Sequence, residues 1–170
     1  MTAGPRVIAA VLAGGVGARM GAPTPKQLLP LAGRPIIAHA IGAFEACPDV
    51  DEVLVLMVAE HVGRVEDIVA ESGFTKVSRV LPGGATRTET SCAALAAMGD
   101  AADTDLALLH DAARPLVGSA TISACVSALD QAGAVGVAVP SADTVVSVAP
   151  GRTGGEVIAE VPARSELRRM

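Results

Sequence analysis

The sequence predicts an α/β fold on a mostly parallel sheet, with a β-arm protruding from it. Three observations carry that prediction. Apolar runs of strand length alternate with segments of helical periodicity over residues 7–139. Trp and Tyr are absent and Phe occurs twice, so Val, Ala, Leu and Ile must fill the core. Such residues suit parallel strands buried on both faces. Polar segments carrying glycine or arginine follow three of the predicted strands, at the carboxyl edge where parallel sheets bind their ligands.

Residues 7–12 form an uninterrupted apolar run, the first strand. Residues 35–45 are helical, because Ile36, Ile37, Ala40, Ile41 and Phe44 fall on one face. Residues 53–58 give a second strand and 59–72 a second helix. Residues 76–81 form a short strand that stops at Pro82-Gly83-Gly84. Residues 86–98 form a third helix whose Ala93, Ala94, Ala96 and Ala97 allow close packing. Residues 106–109 are a buried strand ending at His110-Asp111. Residues 119–132 are a fourth helix, with Ser119 as its N-cap and Gly133 as its stop, and 135–139 another strand. Beyond Pro140 the pattern changes: a strand within 141–150, a turn at Gly151-Arg152-Thr153-Gly154-Gly155 and a returning strand at 156–161. This hairpin, about 141–163, is the arm. At 170 residues the chain is expected to be one domain, with the C-terminal part of that domain lying beyond Met170.

Composition narrows the function classes. A net charge of −5 argues against a nucleic-acid surface or a polybasic membrane contact. No apolar run reaches membrane-spanning length, and glycines with Arg6 interrupt any signal-peptide pattern. Cys47, Cys92 and Cys125 lie far apart, implying neither a zinc site nor a disulfide framework. His39 and His61 show no ligand spacing either. A cytoplasmic protein is expected.

The chemistry starts at residues 12–27. The first strand runs into Leu12-Ala13-Gly14-Gly15-Val16-Gly17-Ala18-Arg19-Met20-Gly21, and Pro25-Lys26-Gln27 follows. Glycines let backbone N–H groups converge on an anion, and Arg19 and Lys26 add full positive charge beside them. A nucleotide phosphate site is the reading. A dinucleotide fingerprint needs glycine where Met20 stands, and a P-loop needs Gly-Lys-Ser/Thr, which the chain lacks.

With the later motifs the chain resembles one family. Gly83-Gly84-Ala85-Thr86-Arg87-Thr88-Glu89-Thr90, His110-Asp111-Ala112-Ala113-Arg114-Pro115, Asp143-Thr144 and Pro162-Ala163-Arg164 occur in order. This is similar to the 2-C-methyl-D-erythritol 4-phosphate cytidylyltransferases and the related ribitol-5-phosphate cytidylyltransferases. The resemblance covers essentially the whole chain. It implies a three-layer, Rossmann-like nucleotidyltransferase fold of the glycosyltransferase-A-like kind. It also implies transfer of CMP from CTP to a polyol phosphate with release of pyrophosphate, Mg²⁺ as cofactor, and a homodimer formed through the arm.

Residue roles are implied in the same way. Leu12, Ala13, Gly14, Gly15 and Gly17 wrap the triphosphate, while Arg19 and Lys26 stabilise the transition state. Gly83, Gly84 and Thr90 match positions that recognise cytosine, and Arg87 lies near the base or phosphates. Ala85 stands where many relatives carry an acidic residue, which leaves that contact to the backbone. Asp111 matches the position that holds substrate and Mg²⁺. Arg114 either orients Asp111, binds substrate or forms a structural ion pair, and His110 is either structural or part of the site. Thr144 and Arg164 match arm positions that bind the polyol phosphate in the second subunit, where Arg164 has a catalytic role.

The substrate signals divide. Ala112-Ala113 and Arg164-Ser165-Glu166-Leu167 resemble the methylerythritol branch, whereas Leu12-Ala13-Gly14-Gly15 resembles the ribitol branch. Methylerythritol phosphate is the expected substrate, with ribitol phosphate as the alternative. Two further readings stay open: a non-catalytic nucleotide-binding protein of the same fold, and a dinucleotide oxidoreductase using Asp49 or Asp51 as its ribose ligand.

Overall fold

The computed structural model describes residues 4–14 and 24–170. They fall into two compact units, residues 1–127 and 128–170. The first unit is built on a parallel sheet. Its strands are β1 (Val7–Ala13), β4 (Glu52–Met57), β5 (Val77–Pro82) and β6 (Leu106–Asp111), in the spatial order β5-β4-β1-β6. Between β1 and β4 come a two-residue hairpin, β2 (Pro30–Leu31) and β3 (Arg34–Pro35), and helix α1 (Ile36–Glu45). Helix α2 (Val62–Ser72) joins β4 to β5, and α3 (Arg87–Ala97) joins β5 to β6.

The order of strands dictates the layers. The chain steps outward from β1 to β4 to β5, then returns past β1 to form β6. Because crossovers of one hand place a helix on opposite faces when the direction of travel reverses, α3 must lie across the sheet from α1 and α2. Alternate residues of each strand bear this out. Val7, Ala9, Val11, Ala13, Val53, Val55 and Met57 pack with Ile37, Ile41 and Phe44 of α1, Val65 and Ile68 of α2, and Ile122. Ile8, Ala10, Leu12, Leu54 and Leu56 pack with Ala94 of α3 and Met98. The result is the three-layer α/β architecture expected from the sequence. All of β1 is buried, so its apolar run lacks the alternation of a half-exposed strand.

The amino edge of the sheet is held by charge. The Asp51 carboxylate accepts the Val7 N–H at 2.8 Å, and Asp51 N–H returns a bond to the Val7 carbonyl at 3.0 Å. The Arg6 guanidinium meets Asp100, Asp105 and Glu52 at 3.2–3.6 Å. Asp51 therefore lies at the end of the sheet opposite the glycine loop. A ribose ligand belongs at the carboxyl end of the second strand, so the dinucleotide reading fails on position as well as on Met20.

Helix α4 spans Ser119–Ala128. It is shorter than the sequence suggested. Ser119 is its first helical residue, and the Gly118 carbonyl accepts from Thr121 and Ile122 N–H, so Gly118 takes the boundary position expected for Ser119. The helix ends before Gly133. The strand expected at 135–139 is reduced to β7 (Val139–Pro140), paired antiparallel with β10 (Arg168–Arg169). Gly133 and Gly136 interrupt the run preceding it, and glycine weakens strand interiors. The arm is present as β8 (Ser147–Pro150) paired with β9 (Glu156–Glu160), its turn made by Gly154 and Gly155 at positive φ. Its first strand begins at Ser147, six residues later than the limit drawn from the sequence.

Asp51→Ala should lower unfolding free energy by about 1–2 kcal/mol, because the Val7 N–H loses its acceptor. Urea denaturation reads this.

Candidate functional site

The carboxyl edge of the sheet gathers four segments: Gly14 after β1, the turn at Gly83-Gly84 after β5, the start of α3, and Asp111 at the end of β6. Leu12 pairs in register with Asp111, and Ala112 N–H donates to the Leu12 carbonyl at 2.9 Å. Gly83 N–H donates to the Met57 carbonyl at 2.8 Å, which fixes the turn to the neighbouring strand. The crevice beside β1, where the strand order reverses, is the expected ligand position in such a sheet.

Thr90 explains the glycines. It is one of two buried polar residues among those described, at 2% exposure. Its hydroxyl accepts the Gly84 N–H at 3.1 Å and donates to the Thr86 carbonyl at 2.9 Å. A Cβ on Gly14 would overlap that hydroxyl. One on Gly83 would stand 3.0 Å from Thr90 Cγ2 and 3.3 Å from Gly14 Cα, and one on Gly84 would collide with the Glu89 side chain. Thus β1, β5 and α3 approach each other backbone to backbone around one threonine. The hydroxyl assigned to cytosine recognition by resemblance also holds the Gly84 peptide in place.

The start of α3 carries a signature that the sequence spells but its reading passed over. Thr86-Arg87-Thr88-Glu89 is a capping box: Thr86 Oγ1 accepts Glu89 N–H at 3.1 Å, and the Glu89 carboxylate accepts Thr86 N–H at 3.1 Å. This rigid first turn aims Arg87 across the crevice. Its Nε and Nη2 both reach Asp111 Oδ1 at 3.1 Å, and Arg114 Nε reaches Oδ2 at 3.3 Å. Asp111 is therefore held by two guanidinium groups, one from each side. The Arg114–Asp111 ion pair is common to two of the readings of Arg114, the orienting of Asp111 and a structural pair.

His110 makes the contacts of a structural residue. Its Nε2 lies 3.0 Å from the Arg114 carbonyl, and its ring meets Phe44 at a centroid distance of 5.1 Å. Burial pushes the imidazole below its ordinary value, outweighing the upward pull of the Arg114 carbonyl and the Asp111 carboxylate.

Lys26 is exposed and opens a single 3₁₀ turn, Lys26–Leu28, while Pro25 and Gln27 beside it are buried. Gln27 Nε2 donates to the Ala13 carbonyl at 3.0 Å. Gly15, Gly17 and Arg19 lie outside the described residues. In the second unit, the Arg164 guanidinium donates to Thr144 Oγ1 at 2.9 Å, and Arg169 pairs with Asp143 at 3.3 Å.

Mg²⁺ takes oxygen ligands, carboxylates above all among side chains. Among the described residues no cluster of three or more His, Cys, Asp or Glu could hold a metal. A lone carboxylate is nevertheless enough where nucleotide phosphates supply the other oxygens, as is usual for this ion. Asp111 fits that arrangement.

The family model for 2-C-methyl-D-erythritol 4-phosphate cytidylyltransferase matches residues 7–170. The chain belongs to this cytidylyltransferase family. It is 60% identical over 166 residues to the 2-C-methyl-D-erythritol 4-phosphate cytidylyltransferase of Thermobifida fusca, covering 98% of this chain and 67% of that protein. It is 36% identical to the bifunctional ribulose 5-phosphate reductase/CDP-ribitol pyrophosphorylase of Haemophilus influenzae, covering 94% of this chain and 33% of that one. The 4-diphosphocytidyl-2C-methyl-D-erythritol synthase of Anaerococcus prevotii superposes with a TM-score of 0.77 at 21% identity, over 97% of this chain and 66% of that chain. The chain thus spans one third to two thirds of the length of these relatives. Members of the cytidylyltransferase family are nucleotidyltransferases, and this fold is theirs.

Two measurements test the site. Gly14→Ala should destabilise the protein by about 1–3 kcal/mol through overpacking against Thr90, read by urea denaturation. The His110 ring should titrate below about 6.5 by NMR, the ordinary histidine value. Because the unfolded chain then binds a proton that the folded chain refuses, stability is complete above the unfolded value and falls as pH drops below it. That slope should be shallower in His110→Asn.

Proposed function

We propose that this chain carries the CTP-activating site of a Mg²⁺-dependent cytidylyltransferase that converts 2-C-methyl-D-erythritol 4-phosphate to its CDP derivative in isoprenoid biosynthesis. The observation that carries the reading is 60% identity to a protein of that name across nearly the whole chain. The convergence of Gly14, Gly83-Gly84, Lys26 and Asp111 toward one sheet edge supports it.

In the reaction a phosphate oxygen of the polyol phosphate attacks the α-phosphate of CTP, and pyrophosphate leaves. The attacking phosphate is ionised at neutral pH, so no general base is needed, in keeping with a His110 already committed to the Arg114 carbonyl. Catalysis then rests on position and charge. Backbone N–H groups from Gly14 onward wrap the triphosphate, with Gly15 and Gly17. Lys26 and Arg19 stabilise the charge that develops on the α-phosphate and the leaving group. Gly83 and Gly84, with Thr90, shape the base site, while Arg87 approaches the nucleotide and Asp111 the substrate hydroxyls. Bound Mg²⁺ neutralises and orients the phosphates, and Asp111 would hold it from the protein side.

The arm supplies the second half in a homodimer. Arg164 and Thr144, already hydrogen-bonded to each other, would bind the polyol phosphate of the neighbouring subunit, where the planar guanidinium suits two phosphate oxygens. The compartment we propose is the cytoplasm, which the three free cysteines support. No helix among the described residues is long and apolar enough to cross a membrane.

Pyrophosphate release with CTP, Mg²⁺ and each polyol phosphate tests the reading. At least tenfold higher kcat/KM for methylerythritol phosphate than for ribitol 5-phosphate is expected. The reverse preference would place the chain in the ribitol branch, and CTP binding without turnover would leave a nucleotide-binding protein. Lys26→Ala should lower kcat by about 10²–10³-fold, as removal of a transition-state donor does. Mixing inactive Lys26→Ala with inactive Arg164→Ala subunits should restore activity, since some composite sites are then intact. Proven subunit exchange without recovery would refute the shared site.

A further inference from the structure

Gln27 and Thr90 are the buried polar residues among those described. Thr90 locks the glycine turns. Gln27 has been given no role, although it sits beside Lys26. It is 3% exposed, and its Nε2 donates to a carbonyl 14 residues earlier in the chain. That carbonyl belongs to Ala13, the last residue of the central strand and the neighbour of Gly14. We propose that Gln27 is a positioning residue: it ties the Lys26 turn to the end of β1 and so sets the distance between the Lys26 ammonium and the Gly14 backbone. The proposal rests on the cytidylyltransferase reading for the role of Lys26, while the tether itself rests on geometry.

The turn is otherwise short and shallow. Leu28 N–H bonds the Pro25 carbonyl at 2.9 Å and Leu29 N–H bonds the Lys26 carbonyl at 3.2 Å. Ile36 N–H bonds the Leu29 carbonyl at 3.0 Å, which fixes the exit of the turn to the start of α1. Leu28 packs on the core under α1. These contacts attach the turn to α1, on its exit side. The Gln27 amide attaches it to the sheet. A 3₁₀ turn rotates about 120° per residue, so anchoring Gln27 inward commits Lys26 to the outer surface beside it. An apolar side chain of similar length would fill the space but leave the Ala13 carbonyl without that donor and the turn without its link to β1.

A displacement of about 1 Å at a reacting group lowers turnover by about 10²-fold. Gln27→Met should therefore lower kcat by about that factor while changing KM for CTP less than fivefold. The decisive readout is non-additivity. A residue acting through Lys26 has nothing left to position once Lys26 is gone. We would measure kcat and, by calorimetry, the Kd for CTP in the wild type, Gln27→Met, Lys26→Met and the double variant. The double variant should match Lys26→Met within threefold on both scales. Losses that multiply, or a Gln27→Met kcat within threefold of wild type, would overturn the tether. An inactive wild type would instead refute the cytidylyltransferase reading, and the tether would then be decided by amide hydrogen exchange at Leu28 and Leu29, which should speed up at least tenfold in Gln27→Met; unchanged exchange would overturn it. If Gln27→Met does not fold, Gln27→Glu replaces it. A carboxylate cannot donate to the Ala13 carbonyl but a carboxyl can, so its kcat relative to wild type should rise as pH falls. A flat ratio would overturn the proposal.

Discussion

The contact between the Gly14 and Gly83 backbones, closed over by the Thr90 side chain, governs the carboxyl edge of this protein. Two strand-end loops and a helix start meet there with almost no side-chain volume between them. The alanines of the central strand leave room for it: Ala9, Ala10 and Ala13 of β1 pair in register with Val53, Leu54 and Met57 of β4. A core built from short aliphatic residues lets α3 settle close through Ala94. The glycine turns are thus a continuation of the core packing.

Charge is distributed differently at the two ends of the sheet. At the amino edge Arg6 is surrounded by three carboxylates, and Asp51 caps the entry of β1. At the carboxyl edge, among the described residues, Asp111 is paired with two guanidiniums, while the Glu89 carboxylate is taken up by the capping box of α3. The Arg87–Asp111 pair joins residues 24 apart in sequence, so it also ties α3 to β6.

Most of this was legible in the sequence because it is periodic or local. The apolar runs placed the four parallel strands to within two residues, whereas the order β5-β4-β1-β6 is seen only in the fold, because βα alternation does not fix which side of the sheet the next strand joins. Helix α4 and the 135–139 segment were misjudged where local signals were weak: Ser119 has good capping chemistry, yet Gly118 took the boundary. The capping box at Thr86–Glu89 was readable and supplies the rigidity that directs Arg87. Arg114 on Asp111 is an i,i+3 pair and could be inferred. Arg87 on Asp111 and Gln27 on Ala13 could not, because a hydrogen bond spanning 24 or 14 residues leaves no trace in spacing. Pro25-Lys26-Gln27 marked the place, but only the fold shows that the glutamine faces inward.

The Phe44–His110 contact has a practical side. The chain has no Trp or Tyr and only two Phe residues, so almost nothing crowds the aromatic region of its proton spectrum. One of those two rings stacks at a tilt of 58° on the histidine preceding Asp111. Ring-current shifts at Phe44 therefore report the orientation of His110, and through the Arg114 carbonyl the setting of the Asp111 clamp. The protein carries its own spectroscopic gauge of the site, with no label required.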